Sequence, residues 1–156
     1  MKKIAYKIGV ISDTHGLLRP EAEKYLQGND VIIHAGDIGK FEIIKKLRKI
    51  ATIYAIRGNV DNEKWANEFP DTLELEILNK KIFIIHNIKE VNASNEKKYD
   101  IIISGHSHKP LIKKKNGILY LNPGSAGKRR FRLPVSIAQI NIIEGNISAE
   151  IIELNF

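Results

Sequence analysis

The sequence of 156 residues contains no cysteine. This absence excludes disulfide bonds, thiolate zinc sites, iron–sulfur clusters and a cysteine nucleophile. It also fits a reducing compartment. Any metal ion in this protein must therefore be bound by nitrogen and oxygen ligands.

Long apolar runs are also absent. No segment approaches the roughly 18 uncharged apolar residues that identify a membrane-spanning helix. The apolar run near the N-terminus contains Lys7 and stops at Asp13, and it lacks the length and the small-residue cleavage site of a signal peptide. We therefore expect a soluble, cytoplasmic protein with no membrane partner.

Acidic residues are outnumbered by basic ones. The chain has 18 Asp and Glu against 25 Lys and Arg, which gives a formal net charge of +7. A solvated, solubilising surface accounts for this excess, and a mild attraction for polyanions or phosphorylated substrates is the alternative. The charge permits a nucleic-acid partner, but the sequence contains no dedicated nucleic-acid motif. The length predicts a single domain spanning residues 1–156.

Short apolar runs, rich in isoleucine, alternate with helical patterns in the first part of the chain. Such runs are typical of buried strands, and the apolar spacing between them favours helices. This alternation predicts right-handed βαβ units, a parallel sheet and an α/β fold class. The predicted strands are Ile8–Ile11, Val31–Ile33, Thr52–Ile56, Ile82–Ile85 and Ile101–Ile103, and the predicted helices are Pro20–Leu26, Phe41–Ile50 and Asn62–Phe69.

Hairpin signals dominate the second part of the chain. Asn116-Gly117 separates two apolar segments and tolerates positive φ, Glu144-Gly145 does the same between two alternating segments, and Asn79-Lys80 is a weaker turn signal. Antiparallel strands are therefore expected beside the parallel ones. The sequence shows no internal repeat and no linker between domains.

Potential ligand residues cluster at the carboxyl ends of the apolar runs. In open α/β sheets, ligands bind at these strand ends. Seven nitrogen and oxygen donors without a thiolate suit two divalent ions better than one, and Mn²⁺, Ni²⁺, Zn²⁺, Fe²⁺ or Mg²⁺ would fit. The predicted donors are Asp13, His15, Asp37, Asn59, His86, His106 and His108.

Each of these residues has an ordinary alternative role. Asp37 would serve as a helix N-cap, Asn59 as a turn residue and His86 as a core histidine. The others would be ordinary polar residues of surface loops. Two spacings favour the metal site instead. Asp13 and His15, like His106 and His108, stand two residues apart, which directs both side chains to one side of an extended segment. A glycine precedes Asp37, Asn59 and His106 and allows close approach of the backbone.

The order of these motifs resembles the calcineurin-like metallophosphoesterase superfamily. Its pattern D-x-H, G-D, G-N, H and G-H-x-H is matched in order by Asp13-Thr14-His15, Gly36-Asp37, Gly58-Asn59, His86 and Gly105-His106-Ser107-His108. Arg57-Gly58-Asn59 and Asn122-Pro123-Gly124-Ser125 resemble the small bacterial and archaeal phosphodiesterase branch. The resemblance implies a four-layer α/β/β/α sandwich with two mixed β-sheets.

The resemblance also implies a function and a role for each motif. The protein would be a metal-dependent phosphodiesterase for a small phosphodiester, with two divalent ions, manganese being the first expectation, and a hydroxide bridging them as nucleophile. Asp37 would bridge the ions, and Asn59 would stabilise charge on the phosphoryl oxygens. One ion would be held by Asp13, His15, Asp37 and His108, and the other by Asp37, Asn59, His86 and His106.

One position departs from the larger members of the superfamily. They carry G-N-H, whose histidine is thought to protonate the leaving group, whereas this chain has Val60 after Asn59. We therefore expect a preference for good leaving groups or a proton donor from elsewhere. Asp61 is a candidate donor, although capping of the following helix is its ordinary role.

Three further features have open interpretations. His34 belongs to no ligand motif and is expected to be structural or to orient a ligand. Residues 127–132, with Lys128, Arg129, Arg130 and Arg132, would face a substrate phosphate or form a solvated loop. Trp65 and Phe69 are expected in the core or in a subunit contact, since a homo-oligomer is compatible with such a chain.

Two other functions remain alternatives. A protein-interaction scaffold of the same fold is one, because a eukaryotic retromer subunit with drifted metal motifs shares the fold that the resemblance implies. A nuclease or cyclic-nucleotide phosphodiesterase is the other.

Overall fold

The computed structural model describes residues 5–156, so residues 1–4 of the predicted domain lie outside the described residues. Ten strands and two α-helices make up the described part of the chain. In chain order they are β1 (Tyr6–Ile11), α1 (Pro20–Leu26), β2 (Val31–His34), α2 (Phe41–Arg48), β3 (Thr52–Ala55), β4 (Thr72–Ile77), β5 (Lys80–Ile85), β6 (Ile101–Ile103), β7 (Leu111–Lys115), β8 (Ile118–Asn122), β9 (Ser136–Ile143) and β10 (Asn146–Glu153). Short 3₁₀ helices cover Lys64–Glu68, Ile88–Glu90 and Glu96–Lys98.

The strands form two five-stranded mixed sheets. The first sheet has the order β10-β9-β1-β2-β3, and the second has the order β4-β5-β6-β8-β7. In the first sheet β1, β2 and β3 run parallel, and in the second β5, β6 and β8 run parallel. All five predicted strands are present, but they are shared between two sheets, because the βαβ order ends at β3 and a hairpin begins the second sheet.

The main core lies between the two sheets. Ile8, Val10 and Ile33 from the first sheet pack in one apolar cluster with Ile84 and Ile103 from the second. Alternate residues of the same strands face outwards, as the two-residue period of a strand requires. On the outer side of the first sheet, α1 and α2 complete a second cluster.

The outer side of the second sheet has a thinner cover. A small cluster there contains Tyr99, Ile102 and Ile118, with Phe83 and Tyr120 packed against it. Within residues 5–156 this layer consists of 3₁₀ helices and loops rather than α-helices. The predicted layered fold with two mixed sheets is confirmed. Its fourth layer is formed by these 3₁₀ helices and loops. No helix in the same range is long and apolar enough to span a bilayer.

Element boundaries differ slightly from the predictions. α1 begins and ends at the predicted residues, whereas α2 ends at Arg48 rather than Ile50. The predicted third helix is a 3₁₀ helix over Lys64–Glu68. The hairpin between β4 and β5 turns at Leu78 and Asn79, both with positive φ, one residue before the predicted turn. The hairpins at Asn116-Gly117 and Glu144-Gly145 form as predicted.

Candidate metal centre

The seven predicted ligands meet where the carboxyl ends of the two sheets lie side by side. The first sheet supplies residues after β1, β2 and β3, and the second supplies residues after β5 and β6. The potential ligand atoms form two groups, and within each group they lie within 4.8 Å of one another. The first group is Asp13, His15 and His108, and the second is Asp37, His86 and His106.

Asp13 directs one oxygen at several imidazoles. Its Oδ2 accepts hydrogen bonds from the Ser12 hydroxyl at 2.7 Å and from the His106 backbone N–H at 3.0 Å. Its Oδ1 is buried without a hydrogen-bond partner among residues 5–156. Nε2 of His108 lies 3.4 Å from this oxygen and Nε2 of His15 lies 3.7 Å from it. Oδ2 of Asp13 is therefore fixed by hydrogen bonds, and Oδ1 is left to bind a cation.

Asp37 belongs to the second group and also lies close to the first. Its Oδ1 accepts the backbone N–H of Val60 at 3.0 Å. Its Oδ2 is 3.1 Å from Nε2 of His86 and 3.7 Å from Nε2 of His15. A single oxygen thus neighbours a histidine of each group, which is the arrangement that a bridging ligand needs.

His86 is oriented by a backbone carbonyl. Its Nδ1 lies 2.7 Å from the carbonyl oxygen of Ala35, and because a carbonyl only accepts, Nδ1 carries the proton. In the described part of the chain its Nε2 is buried without a hydrogen-bond partner, as is Nε2 of His15. Metal-binding histidines are commonly held in this way through the other ring nitrogen. These buried lone pairs and the unpartnered Asp13 oxygen converge on one space, so the donor set fits a divalent cation.

The electrostatics of the site keep the carboxylates ionised. Burial would raise the pKa of Asp13, but contacts with His108, His15 and Ser12 outweigh it and hold the pKa well below its usual range. Burial also opposes ionisation of Asp37, and contacts with His86 and the Val60 N–H lower its pKa nevertheless. Burial opposes protonation of His86, but contacts with Asp37, the Ala35 carbonyl and Asp13 raise its pKa nevertheless. Asp13 and Asp37 raise the pKa of His15, and burial opposes that rise too. The site thus concentrates negative charge that a proton or a metal ion must balance.

Asn59 and His106 form the exposed rim of the site. Nδ1 of His106 lies 3.2 Å from Oδ1 of Asn59. Both line a cavity of about 380 Å³ together with Arg57, His86 and Glu90. The cavity opens directly beside the second ligand group, and its lining is mixed, with polar, apolar, basic and acidic side chains. It is large enough for a small molecule.

The backbone at the ligands is left-handed. Asp13, His15, Asp37, His106 and His108 have φ between 46° and 69°. The prediction that each pair lies on an extended segment is therefore wrong, because β1 and β6 end before these residues and tight turns direct their side chains. Non-glycine residues in this region are uncommon and cluster at functional sites.

Two glycines permit the close packing of the ligand loops. A Cβ at Gly58 would overlap the carboxylate of Asp37, and a Cβ at Gly105 would overlap the hydroxyl of Ser12. Close approach of the backbone, as predicted, is therefore the reason for glycine before Asn59 and His106.

His34 supports the site and is not placed to bind a metal ion. The Gly36 N–H donates to its Nδ1 at 3.1 Å, so its Nε2 carries the proton and donates to the Thr14 hydroxyl at 3.0 Å. Thr14 in turn donates to the Ile38 carbonyl at 2.8 Å. With both ring nitrogens engaged, His34 connects the loops that carry His15 and Asp37, which agrees with the structural role predicted for it.

Asp61 has neither of its predicted roles. Its carboxylate accepts the backbone N–H groups of Ile38, Gly39 and Gly58 at 2.8–3.0 Å. The residue that precedes the 3₁₀ helix is Glu63. Asp61 therefore joins the loop after β2 to the loop after β3, and both of its oxygens are engaged as acceptors there.

The basic segment after Asn122-Pro123-Gly124-Ser125 is exposed and lies near the first ligand group. Gly127 packs against the backbone carbonyls of Asp13 and Thr14. The charge of Arg130 opposes the rise in the pKa of His15 that Asp13 causes. Arg129 instead donates from Nε to the carbonyl of Leu133 at 3.1 Å.

Sequence reasoning missed two supporting residues. Ser12 fixes Asp13, and Asn122 donates from Nδ2 to the Gly105 carbonyl at 2.9 Å and to the Ser107 hydroxyl at 3.1 Å, which holds the loop of His106 and His108. In the sequence, only their positions pointed to such a role: Ser12 precedes Asp13, and Asn122 begins the Asn-Pro-Gly-Ser turn. Trp65 and Phe69, by contrast, pack in the core with α2, as one of the two predictions had it.

Comparison with known proteins agrees with this geometry. Residues 6–145 match the calcineurin-like phosphoesterase superfamily domain. A probable metallophosphoesterase of Methanocaldococcus jannaschii is 37% identical, in an alignment covering 94% of this chain and 81% of the relative. A phosphodiesterase of Escherichia coli, YfcE, is 24% identical over 86% of this chain and 87% of its own.

Solved structures share the fold. A novel archaeal phosphodiesterase superposes with a TM-score of 0.78 at 26% identity, covering 94% of this chain and 99% of that one. Vacuolar protein sorting 29 from Cryptosporidium parvum superposes with a TM-score of 0.77 at 20% identity, covering 97% and 99%. The family match over residues 6–145 shows that the chain belongs to the calcineurin-like phosphoesterase superfamily, and its fold brings the predicted donors together.

Proposed function

We propose that the protein is a metal-dependent phosphodiesterase that hydrolyses small phosphodiesters at a binuclear centre. The observation that carries the proposal is the pair of ligand groups with Asp37 Oδ2 between them, 3.1 Å from Nε2 of His86 and 3.7 Å from Nε2 of His15. Relatives named phosphodiesterase support the same activity.

The site residues would divide between two ions. Asp13, His15 and His108 would hold one, His86, His106 and Asn59 the other, and Asp37 would contribute to both. When bound, divalent ions supply Lewis-acid polarisation of a phosphoryl oxygen and lower the pKa of a water molecule. Such nitrogen and oxygen donor sets accept several first-row ions, and Mn²⁺ is the first one to test.

The chain itself would orient the substrate. The exposed Asn59 and His106 would meet the phosphoryl group, and the cavity of about 380 Å³ beside them would receive one ester arm. Asn59 would donate from its amide to an oxygen that gains charge in the transition state. Val60 follows Asn59 on the same rim and has no proton to give, so a leaving group that departs readily would react fastest.

The test is hydrolysis of bis(p-nitrophenyl) phosphate after chelation and reloading with Mn²⁺ or Ni²⁺. Asp37→Asn keeps the acceptor for the Val60 N–H but removes a charge, and it should lower activity by about 100-fold or more. Asp30→Asn is the matched control, since Asp30 bonds to the Lys7 N–H outside the ligand groups. A chain that binds no divalent metal, or an Asp37→Asn variant of full activity, would refute the proposal.

A scaffold remains the second candidate, favoured by the likeness to vacuolar protein sorting 29. That likeness, at 20% identity, concerns the fold alone. The two candidates differ in their expected turnover. An enzyme should hydrolyse diesters when a divalent metal is added, whereas a scaffold should show no turnover with any metal.

A nuclease or cyclic-nucleotide phosphodiesterase is a narrower form of the first proposal. Only the net charge of +7 favours it. Binding of single-stranded nucleic acid that weakens steeply with salt would support it.

A further inference from the structure

A second cavity lies on the outer side of the second sheet. Its volume is about 500 Å³, which is in the range of small-molecule sites. We call it the outer-face groove and define it by the residues that carry the argument, Ile88, Leu111, Lys109, Lys113, Lys115 and Tyr120. None of the seven predicted metal ligands lines it.

The groove results from the incomplete cover of the second sheet. The 3₁₀ segments cover Phe83, Ile102 and Ile118, and the stacked rings of Phe83 and Tyr99 close that end. The cover stops at Tyr120, whose hydroxyl donates to Glu96 at 3.0 Å. Beyond it the edge strand β7 is uncovered, and Leu111 and Ile88 are 49% and 36% exposed. Large apolar side chains thus stand at the wall of a well-formed cavity.

Strand register assigns the lysines to this side. Lys113 pairs with Tyr120, and Lys115 pairs with Ile118, so these lysines share the outer face of the sheet with residues of the small outer cluster. Lys114 pairs with Leu119 of the inner core and lines a different cavity beside Gly145. Two neighbouring lysines of one strand therefore face opposite sides.

The charge of the groove is positive. Lys109, Lys113 and Lys115 face a single carboxylate in the lining, that of Glu96, which already accepts the Tyr120 hydroxyl. Among the ion pairs of residues 5–156 none involves these three lysines. An apolar wall bordered by unpaired ammonium groups complements a ligand with an apolar body and an anionic group.

We propose that the outer-face groove binds an amphipathic organic anion, with its apolar body against Leu111 and Ile88 and its sulfonate, carboxylate or phosphate near the lysines. This binding is separate from the proposed hydrolysis. The groove reaches Ser107, whose hydroxyl is held by Asn122, so the ligand would lie against the back of the loop that carries His106 and His108.

The test uses 8-anilinonaphthalene-1-sulfonate, with chelator present so that metal chemistry does not contribute. Its fluorescence should rise and saturate at one probe per chain. Lys113→Glu should weaken binding about tenfold, since a favourable charge becomes unfavourable, and Leu111→Asp should abolish it. Lys114→Glu is the matched control, with the same charge change one residue away on the other face, and should bind as the parent does.

Two measurements guard against misfolding and non-specific binding. Thermal melts establish that each variant is folded, and Lys113→Ala with Lys115→Ala gives a milder variant that should bind a few-fold more weakly. N-phenyl-1-naphthylamine, which lacks the sulfonate, should bind more weakly than the anion and respond less to Lys113→Glu. Equal loss in Lys113→Glu and Lys114→Glu, or unchanged binding in Leu111→Asp, would overturn the proposal while leaving the hydrolysis proposal intact.

Discussion

Val60 is the residue that most directly affects leaving-group preference. Its side chain is 45% exposed, and its backbone N–H donates to Asp37 at 3.0 Å, so it stands at the entrance of the site. We expect Val60→His to raise turnover of diesters with poor leaving groups, by up to about 100-fold if the imidazole reaches the leaving oxygen. The measurement is kcat for phenyl against p-nitrophenyl diesters.

A good leaving group needs no proton, so the p-nitrophenyl rate should stay close to that of the parent. Val60→Leu is the control for bulk alone. No gain over the parent for the phenyl diester in Val60→His would mean that the acid is supplied elsewhere or is not needed.

His34 gives the protein a sensitivity to acid. Burial lowers the pKa of His34 to about 4, below the ordinary value of about 6.5. The unfolded chain therefore binds this proton more tightly, and the free energy of unfolding should fall as the pH drops from about 6.5 towards 4, by up to about 1.4 kcal/mol per pH unit. Urea unfolding of chelator-treated protein at several pH values measures this slope.

His34→Gln isolates this contribution from that of the site carboxylates. Glutamine does not titrate, so the variant should be less stable than the parent at pH 7.5, because the acceptor for the Gly36 N–H is changed, but should lose less stability between pH 6.5 and 4. An unchanged slope would show that His34 is not the group responsible.

At the scale of the elements, substitutions can decide whether the basic segment of residues 128–132 faces a substrate phosphate or forms a solvated loop. Arg130 lies close enough to His15 to affect its pKa, which Asp13 raises, and this supports the phosphate-facing interpretation. Arg129→Ala with Arg130→Ala should raise KM for anionic diesters about tenfold and change kcat little. Lys45→Ala with Lys46→Ala on the exposed side of α2 removes equal charge far from the ligand loops. Equal KM values for both double variants would favour a solvated loop.

Sequence patterns predicted the elements of this protein better than their arrangement. Runs such as Ile101–Ile103 and turns such as Asn116-Gly117 depend on local preferences, and both were predicted correctly. The division of the strands between two sheets depends on packing at long range, which no local pattern encodes. The backbone of Asp13 and His15 has positive φ, which neither residue type requires. Asp61 accepts hydrogen bonds from two loops that come together only in the complete fold.

At the scale of the molecule, the candidate centre joins the two sheets. Asp13 and Asp37 follow strands of the first sheet, and His86 and His108 follow strands of the second. Manganese should therefore lower the unfolding rate of the protein, while the refolding rate changes little if the sheets dock after the folding transition state. Stopped-flow chevrons with Mn²⁺ and with chelator measure both rates, and Asp37→Asn should show a smaller difference. A metal effect confined to refolding would contradict this order.

The same junction has a consequence for cells short of divalent metals. Because the ligand atoms come from separate layers, a chain without ions would lose these links between the layers. Any opening there would expose the isoleucines between the layers to proteases. Metal supply would then govern the abundance of this protein as well as its activity, so starvation for manganese should shorten its lifetime.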